Sequence, residues 1–92
     1  MSIYAVNHAC RELLRDPAFR EAMRDDPWAA LNPLDLSDDE RRAMAEGDVA
    51  WLYRAGAHDF LLGYLMRFGI GGLTLPIYNQ RMRSLAPHQN IP

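Results

Sequence analysis

The stretch from Phe60 to Phe68 sets the tightest limit on what this chain can become. Phe60, Leu61, Leu62, Tyr64, Leu65, Met66 and Phe68 are interrupted only by Gly63 and Arg67. A helix built from them is apolar around most of its circumference and must be covered on more than one side. The whole chain has 92 residues, near the lower end at which one apolar core offsets chain entropy without disulfides or metals. Few elements are left to do the covering, so the segment asks for a partner as well as a core.

The remaining sequence supplies short helices with clear start and stop signals. Ile3, Val6, Cys10, Leu13 and Leu14 recur at spacings of three and four and predict an opening amphipathic helix. Asp16-Pro17 and Asp26-Pro27 each join an acceptor for free first-turn amides to a proline that loses no hydrogen bond there. The first of these pairs opens a helix with Phe19, Ala22 and Met23. The second opens a turn of helix with Trp28 and Leu31, stopped by Asn32-Pro33.

Ser37-Asp38-Asp39-Glu40 fits a capping box, with a helix running to about Glu46. Gly47-Asp48 is a stop and a new cap, after which Val49, Trp51, Leu52 and Tyr53 run to Gly56. Gly69-Ile70-Gly71-Gly72-Leu73 reads as a flexible loop, and Pro76 as the first residue of a last helix ending at Met82 or Ser84. The expectation is an all-α, compact, multi-helical single domain of about five or six short helices over residues 1–85, then an extended tail over 86–92.

Composition excludes several functions. The net charge is −2 and all ten basic residues are arginines, scattered from Arg11 to Arg83 among acids. That distribution offers no basic patch for nucleic acid, and the absence of lysine carries no mechanism at this level. No apolar run approaches the roughly 20 residues a membrane span requires. The first residues lack a basic segment followed by an apolar one, which leaves the cytoplasm as the expected compartment. Cys10, the single cysteine, excludes an internal disulfide and sits where a small buried hydrophobe belongs.

No constellation of residues forms a catalytic centre. His8 and Glu12 share a helix face at a metal-compatible spacing, but a catalytic metal takes three protein ligands and no third stands nearby in sequence. His58 and Asp59 occupy a position where polar side chains cap a helix. Ser2, Cys10, Ser37, Thr74 and Ser84 lack a neighbouring base. The glycine-rich loop follows a helix, not a strand, and no Gly-Lys-Ser/Thr completes a phosphate site. Trp51, Tyr53, Phe60, Tyr64 and Phe68 are at helical spacing and suit a core or an interface. No catalytic residue and no metal ligand is assigned to the chain.

The order of these features is that of a known family. Asn7 with Leu13 and Leu14, Phe19-Arg20-Glu21 with Asp25, Leu36-Ser37-Asp38-Asp39-Glu40 leading to Ala43, and above all the run from Gly47 to Leu62 carry the resemblance, which spans about Asn7 to Met82. The chain resembles the small, or alpha, subunit of extradiol dioxygenases of the protocatechuate 4,5-dioxygenase type, the LigA-like family.

The resemblance implies a non-catalytic helical subunit that covers the active-site mouth of a large catalytic subunit. The large subunit would hold Fe(II) through two histidines and a carboxylate and open a catecholic or related aromatic ring. No cofactor would belong to this chain. Gly69, Ile70, Gly71, Gly72 and Leu73 are then expected to line the substrate entrance, with Leu73 where the family has an aromatic contact. Trp51, Tyr53, Phe60, Tyr64 and Phe68 are expected to dock the partner. The alternative is a freestanding helical binding or carrier module without oxygenase activity that presents its C-terminal tail.

Overall fold

Each proline-led helix begins at the aspartate that precedes the proline. Asp16 Oδ1 accepts from the amides of Ala18 and Phe19 at 3.1 and 3.2 Å, and Asp26 Oδ1 accepts from the amide of Ala29 at 3.2 Å. At Ser37 both halves of the capping box form: its hydroxyl accepts from the Glu40 amide at 3.1 Å, and the Glu40 carboxylate accepts from the Ser37 amide at 2.9 Å. Gly47, at φ 73°, closes that helix in the left-handed conformation that glycine adopts without a Cβ penalty.

These signals partition a computed structural model that describes residues 3–84. Within it lie α1 (Ile3–Arg15), α2 (Pro17–Asp25), α3 (Pro27–Leu31), α4 (Asp38–Glu46), α5 (Val49–Arg54), α6 (Asp59–Arg67), a 3₁₀ turn (Ile70–Gly72) and α7 (Leu75–Arg83). The fold is all-α, with no strand among the described residues. Seven α-helices form among the described residues, against about five or six expected; the shortest, α3 and α5, are five and six residues long and each has its own cap. The expected tail, 86–92, lies outside the described residues.

The core is one cluster. Val6, Ala9, Cys10 and Leu13 of α1 meet Leu62 and Leu65 of α6, while Met23, Leu31, Met44, Leu52 and Ile70 fill in from the other elements. Leu14, expected on the inner stripe, is exposed, and Ala9 takes its place. At 100° per residue Leu14 falls about 90° from the centre set by Val6, Ala9, Cys10 and Leu13. The inner face of α6 is fully covered, whereas Phe60 stays 67% exposed.

Arginine closes the opposite ends of the helices. Arg20 reaches back to donate to the carbonyls of Leu13 and Leu14 at the end of α1, at 2.8 and 3.0 Å. Arg81 donates to the carbonyls of Glu46 and Gly47 at the end of α4, at 3.1 and 2.7 Å, and Arg24 to that of Phe68 just past α6, at 3.1 Å. Arg41 ties the link between α3 and α4 through the carbonyls of Leu31, Leu34 and Leu36, at 3.3, 3.0 and 3.1 Å. The last carbonyls of a helix lack intrahelical donors and carry the negative end of its dipole. A permanently charged guanidinium carries its donors on three separate nitrogens, so one side chain such as Arg41 can reach carbonyls that the single nitrogen of an ammonium could not span. Four of the ten arginines, Arg20, Arg24, Arg41 and Arg81, thus have a structural use that the sequence alone does not reveal.

Candidate functional site

The glycine-rich segment is held against the rest of the molecule from both ends. Gly69, Gly71 and Gly72 have φ of 71°, 66° and 78°, and the turn they allow points Ile70 and Leu73 inward, at 0% and 3% exposure. Gly71 lies flat on the junction of α4 and α5: a Cβ there would stand 2.7 Å from the Ala45 carbonyl oxygen and from the Gly47 nitrogen. Leu73 packs over Gly47, where a Cβ would come within 2.8 Å of Leu73 Cγ.

Of the five residues expected to line an entrance, Gly69, Gly71 and Gly72 are therefore on the surface and Ile70 and Leu73 are not. The expected contribution of the Leu73 side chain to an opening is corrected: the notch left by Gly47 draws it into the core. The flexible loop is likewise replaced by a short 3₁₀ turn anchored by two buried side chains.

The five aromatics expected to dock a partner do not form one face. Phe60 and Tyr64 meet edge to face, with ring centroids 5.7 Å apart. With Asp59, Gly63, Met66, Arg67 and Tyr78 they line a shallow groove of about 640 Å³ along α6 and α7. Burial and the nearby Asp59 carboxylate both hold the Tyr78 hydroxyl protonated above its ordinary range. Trp51 is half-buried beside Arg42, which is itself paired with Glu46 and Asp48. Phe68 is half-buried under the guanidinium of Arg20, 4.6 Å from its ring centroid. Tyr53 is exposed on α5.

His58 and Asp59 work as caps. His58 Nδ1 and Asp59 Oδ1 both lie within reach of the Phe60 amide, at 3.2 and 2.7 Å. The His58 amide itself donates to Asn7 Oδ1 at 3.0 Å, tying α1 to the start of α6 across 51 residues of sequence. Sequence reasoning had marked Asn7 only as part of a pattern; a lone polar residue beside an apolar stripe was the available signal. His8 and Glu12 line a second groove, of about 480 Å³, with Tyr4, Phe19 and Leu34. Among the described residues no group of three His, Cys, Asp or Glu side chains could hold a metal ion, and no helix is long and apolar enough to cross a membrane.

Cys10 is fully buried, and burial pushes its thiol up to about 12, against an ordinary value of 9.0 and despite the opposing pull of Arg11. A thiol held protonated and out of reach is a poor nucleophile, so labelling by a thiol reagent at pH 8 should proceed only as fast as the domain opens. The unfolded chain releases this proton first as pH rises, so stability is whole below about pH 9 and declines between there and about pH 12. Alkaline unfolding of Cys10→Val should show a shallower decline than the wild type; an equal slope would remove Cys10 as its source.

The sequence is similar to a known family over most of its length. A family model described as aromatic-ring-opening dioxygenase LigAB, LigA subunit, matches residues 6–83. No curated protein and no solved structure matches the chain.

Proposed function

This chain belongs to the family of LigA subunits of aromatic-ring-opening dioxygenases, and we propose from that membership that it is the non-catalytic small subunit of an Fe(II)-dependent extradiol dioxygenase. Its place is over the active-site mouth of a large catalytic subunit that opens a catecholic or related ring. The observation that carries the reading is the extent of the family match, which runs from within α1 to the end of α7, together with the bare backbone exposed at Gly69, Gly71 and Gly72. Glycine lets another chain approach the main chain closely. A turn fixed by Ile70 and Leu73 beneath it presents that backbone without having to be ordered on docking. Iron in the large subunit would supply the activation of dioxygen and substrate; this chain would close the mouth and keep water out.

The test is co-expression with a candidate large subunit of about 250 to 300 residues carrying two histidines and a carboxylate. The two chains should co-elute, and turnover per iron should rise when this chain is added. Gly72→Asn is the informative variant, because asparagine tolerates a positive φ and its side chain enters open space. It should keep the helical spectrum yet weaken association about tenfold or more. Chains that elute apart, with turnover indifferent to the addition, would reject the reading.

A further inference from the structure

We propose that the outer face of α6 is a two-fold interface between two copies of this chain, with the two helices antiparallel and crossing at Gly63. The face is only partly covered within the molecule: Phe60 is 67% exposed, while Tyr64 and Met66 pack in part against the core, and Phe60 and Tyr64 wall the shallow groove shared with Tyr78. Gly63 stands at the midpoint of the face, and nothing lies within 4 Å of where its Cβ would be. The axis of a second helix can therefore approach closer there than the usual 8–10 Å.

Charge selects the occupant. Asp59 and Arg67 both line the groove, four residues before and four after Gly63, and so about 12 Å apart along the helix. Arg67 has no acid partner among the described residues. A second α6 laid antiparallel across Gly63 sets its own Arg67 against Asp59 and its own Asp59 against Arg67. One contact thus forms twice, as a two-fold axis requires. The same operation brings Phe60, three residues before the crossing, towards Met66 of the second copy, three residues after it. Because α6 is only about 13 Å long, the interface is small and the dimer is expected in the range of roughly 10 to 100 μM. This proposal goes beyond the docking of a large subunit at the glycine turn and can fail without affecting it.

Sedimentation equilibrium of the full chain should show a monomer–dimer equilibrium up to about 500 μM. Gly63→Gln, a helix-favouring change with room in the monomer, should stay folded by circular dichroism and lose the dimer. Asp59→Arg alone and Arg67→Asp alone each make both inter-copy pairs like-charged and should weaken association about tenfold. Mixed together, they should recover it, because every Arg then faces an Asp. If Asp59→Arg unfolds, Gly63→Gln decides. A wild type that stays monomeric, a dimer indifferent to Gly63→Gln, or two folded charge variants that do not rescue each other overturns the proposal. A face covered only when a large subunit is present would show itself as the first of these outcomes.

Discussion

Gly71→Ala is expected to remove about 3–5 kcal/mol of folding stability, enough to leave much of a domain this small unfolded near 37 °C. Two costs combine. The position has φ 66°, where an L side chain loses roughly 1–2 kcal/mol. The added Cβ would also stand 2.7 Å from the Ala45 oxygen and the Gly47 nitrogen and 2.8 Å from the Glu46 carbonyl carbon. All three are backbone atoms at the end of α4, so no rotamer change relieves the overlap; the turn has to lift from the helix, taking Ile70 and Leu73 with it. Gly72→Ala separates the two costs. Its φ is 78° but its Cβ would meet nothing within 4 Å, so it should lose only about 1–2 kcal/mol. Urea unfolding of both variants measures the difference, and equal midpoints would show that the turn is not wedged against α4.

That pair of glycines marks where the sequence is legible. Helix starts could be read because their causes are local: an aspartate, a proline or a capping serine acts within one turn of chain, and Asp16, Asp26 and Ser37 all cap as expected. Gly71 and Gly72 are adjacent and alike in sequence, and only the arrival of α4 beneath one of them makes them different. The same holds for Leu73, which sits in a glycine-rich stretch that reads as loop until Gly47 provides a notch 26 residues upstream to hold it. The aromatic set divided for a related reason. Helical spacing groups residues within one helix, and so it found Phe60 with Tyr64; it could not tell that Phe68 would lie under an arginine from α2 or Trp51 beside one from α4.

The arginine ends allow the second large prediction. Arg41→Ala is expected to cost about 2–3 kcal/mol and to lower the thermal midpoint by roughly 10–20 °C. The Arg41 side chain is 18% exposed and is the donor that joins the carbonyls of Leu31, Leu34 and Leu36 across the link between α3 and α4. Its contact with Asp38 adds little, since that carboxylate is fully in water. Removing the guanidinium leaves part-buried carbonyls without this donor in a segment where Leu31 and Leu36 are core residues, so loss of the bonds loosens packing as well. Arg41→Lys should recover less than half of the loss, because one ammonium cannot span carbonyls that a planar fork reaches from Nε and Nη2 together. Arg15→Ala is the contrast: that side chain is 70% exposed and its ion pair among the described residues is with Glu12, at 3.7 Å, and its loss should fall within about 0.5 kcal/mol of zero. If Arg41→Lys matched the wild type, a bare positive charge would be enough to close these helix ends, and the fork geometry would explain nothing about why every basic residue here is arginine.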